Sequence, residues 1–144
     1  MCLKKVSFCL LFLFTFNYLK AVDTLPVVSW KMTKSQVLKK FKLKDNKSST
    51  QLRTPYKLNQ HDFTLSFSLN GGYVVAYSMK YIGKSSKQAY KQMIKFFQSQ
   101  YGPGEQKSHP KFEKFECKQD RNTDLRMMLM KDKLFILVTP KRKF

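Results

Sequence analysis

The stretch DFTLSFSLNGGYVVAYSMKYI, residues 62–82, decides the fold of this chain. In its first half Phe63, Leu65 and Phe67 alternate with small polar residues, which is the two-residue period of a strand with one buried side. The segment NGG, residues 70–72, then separates this run from a second one that is rich in β-branched and aromatic residues. Because Asn-Gly between two such runs is a strong hairpin signal, the stretch predicts two adjacent antiparallel strands.

An amphipathic helix is predicted on each side of this hairpin. In WKMTKSQVLKKFKLK, residues 30–44, Thr33 and Gln36 have the spacing of a capping box, and Val37 and Phe41 fall on one side of the helix. The second helix lies in SSKQAYKQMIKFFQSQYGPG, residues 85–104. Its SSKQ start is read as another capping box, and its GPG ending provides the glycine and proline that stop a helix.

Further strands complete the prediction. LRTPYKLN, residues 52–59, reads as a short strand whose proline confines it to an edge or a bend. Three more strands are predicted over residues 111–118, 125–130 and 134–139, and the last of these is apolar on both sides and therefore central. The fold class predicted is α+β: an antiparallel sheet of about five to six strands with two helices on one face. The helix-then-strands order occurs twice, which suggests an α-β-β-β duplication.

The chain begins with a secretory signal pattern. Residues 1–21, MCLKKVSFCLLFLFTFNYLKA, comprise a basic start, an apolar run and a small-residue exit. The apolar run is short for a membrane anchor, which is the alternative interpretation. Cleavage would leave residues 22–144 as a single α+β domain, periplasmic or secreted. Cys2 and Cys9 would leave with the signal, so Cys117 is expected to be an unpaired and buried thiol.

The chain is strongly basic. It carries 28 Lys and Arg against 9 Asp and Glu, a formal net charge of +19. Such a charge predicts either an anionic partner or only a lysine-rich composition. Few of the basic residues are arginines, whose planar fork suits specific phosphate recognition. Since the lysines of residues 30–44 are scattered around the predicted helix, the compositional interpretation is favoured.

The sequence offers few residues in a spacing suited to catalysis. His61 and Asp62 are neighbours on a strand and therefore point to opposite sides of it. Cys117 and His109 would form a pair only if the intervening loop folded back, and no third residue is evident to orient the histidine. The chain also lacks the His/Cys spacing of a metal site and a glycine-rich phosphate loop. We therefore expect no enzyme activity, no cofactor and no small-molecule substrate.

Aromatic and basic residues near the second strand of the hairpin are the candidates for binding. The tyrosines recur at odd positions there, which predicts either a stacking surface for single-stranded nucleic acid or carbohydrate, or core beneath the helices. Core is favoured, because aromatic residues commonly fill half-buried strand faces. The chain ends in the basic tail KRKF. The candidate binding residues are Tyr73, Tyr77, Tyr81, Lys80, Lys84, Lys141, Arg142 and Lys143.

Two short motifs resemble a known family. WKMTKSQVLKKF, through Trp30, Met32, Thr33 and Val37, is similar to the first helix of the BamE-like (SmpA/OmlA) outer-membrane assembly family and of the fold shared with β-lactamase inhibitor protein. FFQSQYGPG resembles a helix ending found later in such chains. Lys31 stands where the family has glycine. The resemblance implies a small exported α+β module that binds proteins or envelope components, and it assigns no binding residue.

These observations give three hypotheses of function. The leading one is a non-enzymatic, exported binding module of the bacterial envelope that contacts a protein partner or the membrane surface, without a transmembrane segment after signal cleavage. The alternative is a secreted basic protein that binds anionic polymers: nucleic acid, lipopolysaccharide or glycan. The third is a small hydrolase that uses Cys117 and His109.

Overall fold

The computed structural model describes residues 24–47 and 49–141 of the chain. The predicted signal peptide, residues 1–21, lies outside the described residues, as do Arg142 and Lys143. The elements follow in the order α1 (Lys34–Phe41), β1 (Gln51–Leu58), β2 (His61–Asn70), β3 (Tyr73–Tyr81), α2 (Ser86–Tyr101), β4 (Glu105–His109), β5 (Phe112–Asp120), β6 (Thr123–Met130) and β7 (Lys133–Pro140).

All seven strands belong to one antiparallel sheet, in the order β1-β2-β3-β7-β6-β5-β4. Each helix is followed by an antiparallel meander, and the last strands of the two meanders, β3 and β7, pair with each other. β7 is therefore the middle strand, with three strands on either side. Within the sheet, the pairing of β3 with β7 is the only strand pairing that joins the two meanders.

The predicted sheet of five to six strands is wrong, because the sheet has seven. The strand that the sequence did not reveal is β4, whose five residues are all exposed. Its sequence EQKSH has no apolar alternation, so nothing in it distinguishes a strand from a polar loop. Its strand conformation comes from pairing with β5, where Glu105 lies opposite Glu116 and His109 opposite Phe112.

The two helix starts differ from each other. At α1 the capping box is confirmed: the Gln36 amide donates to the Thr33 hydroxyl at 3.3 Å, and the Thr33 amide donates to the Gln36 side chain at 2.9 Å. The second predicted capping box is wrong, because Ser85 makes no side-chain cap. Instead, the hydroxyl of Ser86 donates to the Asp132 carbonyl at 2.7 Å, which fixes the start of α2 to the β6–β7 turn.

The core lies on one side of the sheet, which we call the helix side. Val37 of α1 and Met93 and Phe97 of α2 are buried in one cluster with the inward side chains of the strands. Residues 24–30 run across the same side, where the Tyr56 hydroxyl donates to the Thr24 carbonyl at 2.5 Å. The Trp30 ring of this segment stacks on Tyr77 at 6.2 Å. Both helices and this segment therefore cover one side of the sheet.

Candidate binding surfaces

The three candidate tyrosines do not form one surface. Tyr77 is buried in the core at 2% exposure, and Tyr81 is half-buried with its ring edge-on to Phe63 at 5.8 Å. Tyr73 is 51% exposed. A bulge at Ser68/Leu69 in the β2–β3 pairing shifts the register, so that residues on either side of it change sides. The shared strand face predicted for these tyrosines is therefore wrong.

The candidate basic residues are also dispersed. Lys80 is exposed and pairs across strands with Phe135 of β7, on the side of the sheet away from the helices. Lys84 is exposed in the turn that precedes α2, and Lys141 follows the end of β7. Arg142 and Lys143 lie outside the described residues. The predicted residues do not make a single site, and the two surfaces below were not expected from the sequence.

The first surface is the side of the sheet opposite the helices, which we call the open face. Residues on this side alternate along each strand with the buried ones, and none of the described ones is fully buried. Five large hydrophobic side chains among the described residues are strongly exposed, and four of them, Tyr73, Val75, Ile82 and Met130, lie on this face. Phe135, Leu137 and Met128 are half-buried near its middle.

Some of the charged residues on the open face form ion pairs, whereas Lys80, beside Phe135, is in none of the ion pairs of the described residues. Four of the five ion pairs in the described part of the chain lie there: Lys57–Asp62, Lys107–Glu105, Lys114–Glu116 and Arg126–Glu116. Partial burial by itself raises the pKa of Glu116, but hydrogen bonds from Arg126 and Lys114 and their charges outweigh it, so the pKa is lowered. Glu116 therefore stays ionised, and because it faces both Lys114 and Arg126, this cluster keeps a net positive charge.

A shallow depression of about 770 Å³ lies at one end of the open face. Val75, Leu137 and Pro140 contribute apolar surface to it, and Arg126 and Lys141 are among the charged residues that line it. Val75 is the extra residue of the bulge, which explains why it is exposed there. The depression is continuous with the apolar middle of the open face, since Leu137 belongs to both.

The second surface is the helix layer, which we define as residues 31–47 and 84–101. These two segments contain eleven lysines and one acidic residue, Asp45. Ten of the eleven lysines are exposed, and the eleventh, Lys34, pairs with Asp45 at 2.8 Å. On α2, Lys87, Lys91 and Lys95 recur at every fourth position and so form a basic stripe on the solvent side.

Lysines are distributed unevenly over the molecule. The helix layer carries a net charge of +10, whereas the remaining described residues, more than twice as many, carry +5. A lysine-rich composition alone would raise the lysine content of both parts and would not remove acids from one of them. Within the described residues, no carboxylate lies within ion-pair distance of the α2 lysines. The helix layer is therefore an unneutralised positive surface.

The residues proposed for a hydrolase do not come together. Cys117 is buried on the helix side of β5, and burial raises the pKa of its thiol to about 11. His109 ends β4 opposite Phe112, five residues and about 17 Å along β5 from Cys117. Its ring stacks on Phe112, on the open face. The hypothesis that Cys117 and His109 form a catalytic pair is therefore wrong for this fold.

Comparison with family models, with curated proteins and with solved structures gives no match to this chain. The resemblance to BamE-like proteins consequently rests on the two motifs alone. Within the described residues, no group of three His, Cys, Asp or Glu side chains is placed to hold a metal ion. Neither α1 nor α2 is long and apolar enough to cross a membrane.

Proposed function

We propose that this protein is a non-enzymatic, exported binding module of the bacterial envelope that associates with an anionic membrane surface through its helix layer. The observation that carries the proposal is the charge of that layer, with eleven lysines against one acid. Each lysine near an anionic lipid surface contributes about 1 kcal/mol to binding, and several together give a stable association.

The arrangement of the α2 lysines supports this role. Like charges four residues apart destabilise a helix by about 0.2–0.5 kcal/mol per pair, and Lys87, Lys91 and Lys95 make two such pairs. α2 has no acidic residue in its first turn to offset the helix dipole either. The stripe therefore lowers the stability of the helix that carries it. Binding to a partner that neutralises the α2 lysines would explain why the chain carries a lysine stripe that destabilises its own helix.

A membrane surface fits this layer better than nucleic acid does. The basic residues of the helix layer are all lysines, which act as diffuse point charges and lack the bidentate fork of arginine. Binding of single-stranded nucleic acid also relies on stacked aromatic side chains, and Tyr77, the central tyrosine of the predicted stacking surface, is buried. Anionic polymers remain the alternative partner.

Co-sedimentation with lipid vesicles tests the proposal. We expect binding to vesicles that contain phosphatidylglycerol and none to pure phosphatidylcholine. Affinity should fall steeply between about 50 and 200 mM salt, because salt screens the attraction and lowers the entropy gained when counterions are released. Equal binding to both kinds of vesicle would contradict the proposal. Heparin binding that persists at a salt concentration that abolishes vesicle binding would support the polymer alternative instead.

A further inference from the structure

We propose that the open face is the docking site for an amphipathic helix of a partner protein, one whose apolar stripe is flanked by acidic residues. The helix lies along β6 and β7, which carry most of the apolar side chains in the middle of this face. Within the described chain, α1 and α2 both pack on the other side of the sheet, so neither covers these side chains. The site is separate from the helix layer and does not depend on the proposed membrane binding.

The docked helix contacts an apolar strip, which we define as Met128 and Met130 of β6 with Phe135 and Leu137 of β7. Met128 and Phe135 lie directly opposite each other, and the other two follow two residues away, on the same side of their strands and at opposite ends of the strip. Met130 is 40% exposed, and the other three are half-buried. Opposite side chains are about 4.5–5.5 Å apart, and the next side chain on the same side of a strand is about 7 Å away, so the four form one continuous surface.

Basic side chains lie on both flanks of the apolar strip. On one flank Lys80 of β3 lies opposite Phe135, and on the other flank Lys114 of β5 lies opposite Met128. The four strands from β3 to β5 span three strand spacings, about 14 Å. Because a helix with its side chains is about 10–12 Å across, a helix that lies on the strip has each edge within reach of one of these flexible lysines.

These basic residues are not fully neutralised within the described chain. Lys80 is in none of its ion pairs, and neither is Lys133, which lies at one end of the strip. Glu116 contacts Lys114 and Arg126, at 3.2 and 2.5 Å, so a single carboxylate faces two positive charges. Both flanks therefore keep positive charge, and glutamates beside the apolar stripe of a bound helix complement it.

A helix suits this face better than an extended segment does. The face presents side chains, whereas the backbone groups of β6 and β7 are already paired with neighbouring strands. An extended segment that lay on it would leave its own amides and carbonyls without partners, but a helix satisfies them internally. The strip is about 14 Å long, and about nine helical residues at 1.5 Å each cover that length. Helices and sheets commonly bury their apolar sides against each other in this way.

The charge distribution separates this partner from a lipid surface. Asp62, Glu105 and Glu116 lie on the open face, where a uniformly anionic surface would meet them as well as the lysines. The helix layer, by contrast, carries one acidic residue among its eleven lysines. A docked helix places its carboxylates only beside its apolar stripe, so it contacts Lys80 and Lys114 without approaching the acidic residues of β2 and β4.

Titration of the purified protein with three synthetic peptides tests this inference. The first has about 18 residues, long enough to form a helix, with leucines at i, i+3, i+4 and i+7 and glutamates beside them. The second has the same composition in an order that removes the stripe, and the third has lysine in place of glutamate. We expect fluorescence anisotropy to give a dissociation constant of about 10–50 µM for the first peptide and binding at least about tenfold weaker for the others.

Variants of the protein locate the site. Lys80→Glu should weaken binding of the first peptide about tenfold, because a carboxylate replaces the ammonium group that faces the glutamates. Met130→Gln should weaken it about threefold through lost apolar contact. Arg53→Glu is the matched control and should keep the affinity, since Arg53 lies on the same face but on β1, three strands away from β7. All three positions are exposed, so the fold should tolerate the changes, and circular dichroism checks this.

Nuclear magnetic resonance maps the bound peptide on the protein. Our inference predicts that the largest amide shifts fall on β3, β6 and β7. Shifts confined to α1 and α2 would overturn it, and so would equal binding of the peptide without the stripe, because either result reduces the contact to unspecific charge. It would also be overturned if no peptide bound up to about 500 µM. If Lys80→Glu weakened binding to phosphatidylglycerol vesicles and left peptide binding unchanged, the open face would be a lipid surface instead.

Discussion

Replacement of Lys84, Lys87, Lys91 and Lys95 together by glutamine is expected to weaken binding to anionic vesicles by about 100-fold or more. Each of these lysines is exposed and has no ion-pair partner within the described residues, so each contributes its full attraction, about 1 kcal/mol, to the lipid surface. Equilibrium binding to vesicles of fixed phosphatidylglycerol content measures the effect. Folding should not suffer, since removal of the like-charge pairs of α2 stabilises the helix slightly.

The control removes the same charge from the outer strands. Lys57, Lys107, Lys111 and Lys118 are exposed on or beside β1, β4 and β5, and their joint replacement by glutamine changes the net charge equally. We expect this variant to keep most of the vesicle affinity, because these residues lie away from the helix layer. If both variants lose affinity to the same extent, net charge governs binding and the helix layer has no special role.

Tyr77→Ala is expected to lower the free energy of unfolding by about 3–5 kcal/mol, the usual cost of deleting a buried aromatic ring. The Tyr77 ring is fully buried, stacks on Trp30 at 6.2 Å and contacts the Phe67 ring at 6.2 Å. It therefore joins residues 24–30 to the sheet. Urea denaturation of the purified variants measures the change.

Tyr77→Phe separates the ring from its hydroxyl. Burial raises the pKa of Tyr77, and its hydroxyl has no hydrogen-bond partner among the described residues. A buried polar group without a partner costs about 1–3 kcal/mol, so the phenylalanine variant should be at least as stable as the parent protein. A loss above about 1 kcal/mol in this variant would show that the hydroxyl has a partner.

Local sequence signals predicted the elements whose stability is local. The Gly71-Gly72 turn has φ angles of 58° and 82°, which glycine adopts without strain, and β2 and β3 pair around it as predicted. The α1 capping box is likewise complete within four residues. By contrast, the β1–β2 turn uses Asn59 and Gln60 at φ of 48° and 65°, and glutamine there gives little signal.

Features that depend on a neighbouring strand were not predictable. β4 has no apolar side and is a strand only because β5 supplies its hydrogen bonds. The bulge at Ser68/Leu69 has no local sequence mark, yet it decides that Val75 is exposed and Tyr77 buried. A regular two-residue period, extended through a bulge, places every later side chain on the wrong side.

The basic surface was not predicted either, because its two helices are far apart in the sequence. Around α1 alone the lysines are scattered, and a lysine-rich composition is enough to explain them. Only the fold places α1 and α2 on one side of the sheet, where their lysines add up and Asp45 is the one acid. A count of acidic residues by segment would have found the signal, since residues 84–101 contain none.

Lysine modification of the vesicle-bound protein tests the central claim most directly. The protein is treated with an amine-reactive acetylating reagent, free or bound to phosphatidylglycerol vesicles, and each site is quantified by mass spectrometry. Our account predicts that Lys87, Lys91 and Lys95 lose most of their reactivity on binding, whereas Lys57 and Lys107 on the outer strands keep theirs. Uniform protection of all lysines, or protection of the sheet lysines while the α2 lysines stay reactive, would contradict it.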